Sequence, residues 1–283
     1  MRIHIFHTGE VHVSPYLPFG GDDCGIMKAS GVTTPKKEWL WLPVSAYLIE
    51  HPKGRILVDT GWHREMSPEG VYDRKAQIKS LGSFILFNIN QGRIARGEAI
   101  DEQLASLGLK PADIDYVLLT HLDCDHANGL TQVKGAKRIL VAADELSPKN
   151  TKKGFVERIR YQKRWWEKMN LETFDWNGSE GPVGKSFDLF GDGSVVMVNI
   201  PGHSSGLCAV KVKNKEGQFV LLFSDGGYAR KSWEQMITSG VCQDKKLQRQ
   251  SLQWIREQSQ SSDCIESLAN HDPDVKPHII DLS

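Results

Sequence analysis

Apolar residues along this chain recur in short runs, each closed by a turn signal, and the runs fall into two groups. Arg2 to Phe6, Val44 to Glu50 and Arg55 to Asp59 form the first, with His51-Pro-Lys-Gly54 as a hairpin turn between the last two. Tyr116 to Thr120 and Arg138 to Ala142 follow, short and rich enough in β-branched and aromatic residues to be buried strands. The second group is Ser194 to Asn199, Leu207 to Lys213 and Phe219 to Ser224, the last two joined by the turn Asn214-Lys-Glu-Gly217. Helical spacing is predicted over Asp101 to Leu107, Phe155 to Lys168 and Lys245 to Ser259, where Leu247, Trp254 and Ile255 share a partial apolar face. No internal repeat or low-complexity tract interrupts the pattern.

Two stretches fit it poorly. Arg64 to Glu98 mixes Pro, Gly and charge with the apolar patch Phe84-Ile-Leu-Phe87, and Ser147 to Pro182 interleaves basic residues with Trp165, Trp166 and Trp176. They read either as locally packed insertions into one domain spanning residues 1–283, or as the walls or lid of a substrate pocket, which long connections usually shape.

Composition changes the picture mainly by exclusion. The 35 basic and 35 acidic residues leave a formal net charge of zero, so no global field draws in nucleic acid or an anionic membrane. The basic and aromatic mixture from Arg158 to Trp166 lacks any accompanying nucleic-acid motif. The first residues, Met1-Arg-Ile-His-Ile-Phe-His, carry charge and lack the apolar core of a secretory signal. No apolar run approaches the roughly 18 residues that span a bilayer. The five cysteines are odd in number, widely spaced and free of Cys-x-x-Cys pairs, which suits reduced thiols in the cytoplasm.

The chemistry concentrates in Leu118-Leu-Thr-His121-Leu-Asp123-Cys-Asp125-His126-Ala-Asn-Gly129, where an apolar strand delivers four candidate metal ligands within six positions. Persistent extension would place His121, Asp123 and Asp125 on one side, whereas a turn after Asp123 would splay His121/Asp123 and Asp125/His126 towards two neighbouring ions. Imidazole and carboxylate suit zinc, iron or manganese. Three further strand ends add Pro201-Gly-His203, Phe223-Ser-Asp225-Gly-Gly-Tyr228 and Asn270-His271-Asp-Pro273. Asp225 is placed to bridge two cations. Cys124 reads as a buried thiol, and His4, His7, His12, His51, His63 and His278 lack motif support.

These residues, with Val58-Asp59-Thr60-Gly61 before them, resemble the metallo-β-lactamase superfamily, and within it the N-acyl homoserine lactonase branch. Tyr228, three residues after Asp225, and the spacing from His203 to Asp225 to His271 carry the closer likeness. The resemblance implies an α+β fold, an αββα sandwich of two mixed sheets flanked by helices. It implies two divalent metal ions, with His121, Asp123 and His203 on one, Asp125, His126 and His271 on the other, and Asp225 between them. Asp59 is implied to support a ligand imidazole.

The activity implied is hydrolysis of a small ester or lactone by a metal-bridging hydroxide, with Tyr228 polarising the carbonyl and Asp125 passing a proton to the leaving oxygen. Asp123 departs from the family pattern, which has histidine there. Exchanging a neutral nitrogen for an anionic oxygen shifts the expectation from zinc towards iron or manganese, and predicts that the substitution Asp123→His raises zinc occupancy. The rival readings are a thioesterase or phosphodiesterase on the same fold, an iron redox module resembling flavodiiron proteins, and a binding protein with a degraded site. A homo-oligomer is compatible with the sequence.

Overall fold

The computed structural model describes residues 1–147 and 159–283. Its first sheet takes the strands β1 (Arg2–Val13), β2 (Leu40–His51), β3 (Gly54–Val58), β4 (Gln91–Arg93), β5 (Tyr116–Leu119), β6 (Arg138–Ala142) and β7 (Leu171–Phe174). A second sheet follows from β8 (Ser186–Asp188), β9 (Val195–Asn199), β10 (Cys208–Lys213), β11 (Phe219–Leu222) and β12 (Cys264–Leu268), and β13 (Ile279–Asp281) returns to the edge of the first beside β1. The orders are β13-β1-β2-β3-β5-β6-β7, with β4 against the distal part of β1, and β12-β11-β10-β9-β8. Both are mixed: β3, β5, β6 and β7 run parallel, as do β11 and β12, and the other pairs are antiparallel.

Alternation along the strands builds the layers. In β2, Tyr47 and Ile49 point between the sheets, where they meet Ile56, Val58, Val210 and Val220. Two single turns, α1 (Tyr16–Phe19) and α2 (Ile26–Ala29), precede β2, whose Val44, Ala46 and Leu48 point the other way, into a core roofed by α3 (Arg74–Leu81), α4 (Phe84–Ile89) and α5 (Ile100–Ser106). On the far side of the second sheet, Leu221 and Phe223 pack against Leu252 and Ile255 of the helix Lys245–Ser259. The result is the αββα sandwich. No helix among the described residues is long and apolar enough to cross a membrane.

The differences from the sequence reading are physical. The stretch 64–98 folds as a short helical turn, α3, α4 and β4, with Asp73 capping α3 and Ser83 capping α4. Its buried Met66, Leu81, Leu86, Phe87 and Ile94 belong to the outer core. Of the helix predicted over Phe155 to Lys168, residues 155–158 lie outside the described part; from Tyr161 onward only a 3₁₀ turn, Lys163–Trp165, is helical. Trp165 and Trp166 are instead buried in the outer core, so their spacing reflects packing of an irregular chain. Of the face predicted for the helix Lys245–Ser259 from Leu247, Trp254 and Ile255, Ile255 is buried and Trp254 packs partly against the same core, while Gln248, Ser251 and Leu252 complete the buried side. Its polar members are satisfied: Ser251 Oγ donates to Pro201 O at 2.7 Å and Gln248 Nε2 to Ser239 Oγ at 2.8 Å.

Candidate metal centre

β5 ends at Leu119, the chain bends at Thr120, and Asp123 is extended (φ −70°, ψ 160°) before the turn into α6 (Cys124–Ala127). The turn resolves the ambiguity of the cluster. His121 and Asp123 face one group of donors with His203 and Asp225, while Asp125 and His126, carried on the helical turn, face another with His271. His203 follows Gly202, whose φ of +137° and close approach to Gln248 backbone leave no room for a Cβ. Asp225 follows Ser224 at the end of β11, and His271 follows β12.

The distances define how the groups meet. His203 Nε2 lies 2.9 Å from Asp123 Oδ2 and 3.5 Å from Asp225 Oδ2, and His121 Nε2 lies 3.4 Å from Asp123 Oδ2. On the other side, His126 Nε2 and His271 Nε2 lie 3.4 and 3.2 Å from Asp225 Oδ1, and His271 Nε2 lies 3.4 Å from Asp125 Oδ2. Asp225 thus presents one oxygen to each group. Cys124, although between the two aspartates, is buried, and burial pushes its thiol far above the usual range, so it behaves as an apolar residue.

A surrounding set of hydrogen bonds fixes three of the four imidazoles. Asp59 accepts from Thr120 N and Thr120 Oγ1, both at 2.8 Å, and from His126 Nδ1 at 2.8 Å. Because Thr120 Oγ1 gives its proton to Asp59, it accepts from His121 Nδ1 at 3.0 Å. His271 Nδ1 donates to Pro43 O at 2.8 Å. Three rings therefore keep a proton on Nδ1 and turn Nε2 inward, where, against the effect of burial, Asp225 raises His126 and His271 and an ion would take the place of the Nε2 proton. Asp59 holds this position with φ +58°, a conformation costing on the order of 1–3 kcal/mol for a residue other than glycine. Burial, with Arg160 next, lowers His203 to about 4, which keeps its ring neutral. Burial alone would raise Asp225, yet His271 and His126 hold it well below the usual carboxylate range.

Two residues here escaped the sequence reading. Arg160 grips Asp123 through Nε on Oδ1 and through Nη2 on Oδ2 at 2.8 Å, and its Nη1 donates to His203 O at 2.8 Å. Nothing local marks it, since it lies 37 positions from Asp123 within a run of similar basic residues. Glu145, fully buried, accepts from Leu122 N at 3.3 Å, Gly206 N at 2.9 Å and Ser204 Oγ, tying the His121 segment to the His203 loop. In the sequence it is one acid in Ala-Ala-Asp-Glu-Leu after a strand, indistinguishable from a surface residue.

The residues fit a pair of metal ions. His121 Nε2, His126 Nε2, His271 Nε2 and Asp225 Oδ1 are buried without a hydrogen-bond partner, a costly arrangement for a purely structural cluster. Donors 3.2–3.5 Å apart are also what a tetrahedral ion about 2.0–2.1 Å from each would require. Tyr228, 5% exposed, stacks on His271 at 5.1 Å and 23°. Burial and the nearby carboxylates hold its phenol protonated. It lines a cavity of about 550 Å³ that reaches the donors through Asp123, Asp125, His203 and Arg160. The outer walls are apolar, from Val11 and Val13 of β1, Ile26 and Val32, and Phe84 and Ile85 of α4.

A family model described as "Metallo-beta-lactamase superfamily" matches residues 39–220. The chain belongs to the metallo-beta-lactamase superfamily. Among its relatives in this superfamily, an N-acyl homoserine lactonase, AttM, of Rhizobium radiobacter is 26% identical over 235 residues, covering 82% of this chain and 83% of that protein. A probable metallo-hydrolase of Mycobacterium tuberculosis is 28% identical over 215 residues, 74% of this chain and 62% of that one. The solved structure of an N-acyl homoserine lactone hydrolase with N-hexanoyl-L-homoserine at its catalytic metal center superposes with a TM-score of 0.71 at 21% identity, covering 96% of this chain and 94% of that one. That likeness establishes the shared fold. The chain is a metallohydrolase of this superfamily.

Proposed function

We propose that this enzyme opens the ring of N-acyl homoserine lactones or closely similar lactones, with zinc as its metal pair. The observation that carries the reading is Tyr228: a protonated phenol packed on His271, at the junction of the metal donors and a deep apolar cavity. The junction suits a substrate with a polar ester ring and an apolar tail. The lactonases named among the relatives, at 24–28% identity, lend it support.

His121, Asp123 and His203 would hold one ion, Asp125, His126 and His271 the other, and Asp225 both. When bound, such a pair ionises water near neutral pH and polarises an ester carbonyl. The chain's own residues do the rest. The Tyr228 hydroxyl donates to the carbonyl oxygen and binds it more tightly as negative charge develops there. Asp125 lies on the cavity wall, where it would take up the proton that the attacking water gives up and pass it to the departing ring oxygen, yielding the hydroxy acid. Val11, Val13, Phe84 and Ile85 take the acyl chain and exclude water from it.

Arg160 bears on the choice of metal. It neutralises Asp123, so the pair presents no net charge, as the histidine usual at this position would. This removes the reason to prefer iron or manganese and weakens the redox reading. The five cysteines are all unpaired, which suits a reducing cytoplasm. Proton release from a panel of acyl homoserine lactones, thioesters and phosphodiesters tests the proposal. Lactones should exceed the other classes in kcat/KM by at least about a hundred-fold; a thioester or phosphodiester turned over faster than every lactone rejects it.

A further inference from the structure

The two donor groups are unequal in charge. Asp123 has both oxygens engaged by the guanidinium of Arg160, and Oδ2 also meets His203 Nε2. Both side chains are largely buried, Arg160 at 12% and Asp123 at 15% exposure, so solvent screens the ion pair little. No lysine or arginine of the described residues pairs with Asp125, whose partner is His271 Nε2. Of the buried site atoms without a hydrogen bond, His126 Nε2, His271 Nε2 and Asp225 Oδ1 belong to the Asp125 side, and His121 Nε2 and His203 Nδ1, the ring nitrogen away from Asp123, to the Asp123 side. A dication approaching Asp123 meets a carboxylate already matched by a fixed cation that the protein cannot deprotonate. One approaching Asp125 meets a carboxylate paired only with His271, an imidazole that, unlike a guanidinium, gives up its proton to an incoming ion.

We propose that Arg160 is a positioning residue that sets the order of metal loading. The Asp125–His126–His271 side fills first and tightly, and the Asp123 side fills second and weakly because the guanidinium offsets its charge. The inference rests on the two-metal reading of the site and adds to it an internal cation that makes one position exchangeable. Its second anchor, Nη1 on His203 O, holds the guanidinium against two ligands of the weak side, Asp123 and His203, so the cation does not swing away when the ion arrives. The arrangement makes enzyme with one ion the predominant form when zinc is scarce, and the second position responsive to zinc supply.

Stepwise zinc titration of chelator-stripped full-length protein against a chromophoric competitor tests this without reference to activity. Wild type should bind two equivalents with dissociation constants separated by about a hundred-fold, about 2.8 kcal/mol at 1.4 kcal/mol per tenfold. Arg160→Met should tighten the weak step by at least about tenfold and leave the tight step within about threefold, which also reports an intact fold. Arg160→Lys keeps the charge and should stay close to wild type, and His271→Ala should lose the tight step. Equal steps in the wild type, or a weak step that Arg160→Met leaves unchanged or weakens further, overturn the inference while leaving the two-metal reading in place. Failure of the wild type to bind zinc at all overturns that reading as well. Asp123→Asn provides an independent arm: with the carboxylate's charge removed and the guanidinium left, the weak step should disappear, and its survival at wild-type strength also refutes the role given to Arg160.

Discussion

The two ends of the cavity are built by opposite means. At the metal end three of the four imidazoles are held from behind, His126 by Asp59, His121 by Thr120 and His271 by the Pro43 carbonyl, all within 3.0 Å and without solvent. At the other end Ile26, Val32, Phe84 and Ile85 are 43–67% exposed and make only apolar contacts with whatever enters. Rigid, hydrogen-bonded strand ends hold the metal donors, and under the proposed lactonase activity the exposed apolar side chains at the other end would choose the tail. Substitutions at the first end should therefore abolish function or metal binding, and those at the second should shift preference only.

The largest effect is expected at Asp225, the carboxylate common to both donor groups. Asp225→Ala should lower kcat/KM by about a thousand-fold or more, equivalent to roughly 4 kcal/mol, with metal content falling in parallel; retained zinc with near-normal turnover would contradict a shared ligand. Asp123→His comes next, and Arg160 reverses the sequence-based expectation that histidine simply restores zinc. The imidazole would leave a buried guanidinium unpaired, at a cost of about 3–5 kcal/mol, seen as a fall in Tm of about 5–15 °C. Adding Arg160→Met should recover most of it, and a single variant as stable as wild type would show the pair to be dispensable.

Smaller, and still confined to the metal end, is Asp59→Asn, which removes the acceptor behind His126. Metal affinity should weaken about ten-fold to a hundred-fold, measured by competition with a chelator. Tyr228→Phe should reduce turnover by a similar factor, from loss of one hydrogen bond to a developing oxyanion, and leave metal content unchanged. If metal content also falls, Tyr228 serves the site's structure instead. The smallest change belongs to the apolar end. Phe84→Ala should raise KM for long-chain lactones by about three-fold to ten-fold, leave short-chain substrates and Tm nearly unaffected, and so separate the two ends in one kinetic series.

Periodicity and clustering made much of this legible in the sequence. The short apolar and β-branched runs of β2, β5, β9, β10 and β11 are a local signal, and they were enough to indicate layered sheets. The edge strands β4, β7, β8, β12 and β13 are short or polar, and their pairing depends on neighbours distant in the chain, so they left no comparable trace. The candidate ligands stood out because each lies in a Gly- or Asp-marked turn just after an apolar run, where a lone imidazole has little structural reason to be.

By itself, then, the sequence determined the fold class and the seven metal-site candidates, since both are written in residue types at short spacing. Tertiary structure decided how those seven divide, through the turn at α6 that parts Asp123 from Asp125 and the orientation of Asp225, one oxygen to each side. It also decided that Arg160 reaches Asp123, and that β1 and Ile26 wall the cavity along with α4. Those relations join segments tens to hundreds of residues apart. A charge is neutralised, or a wall completed, only when the packed chain brings its partner across, and no local spacing encodes that distance.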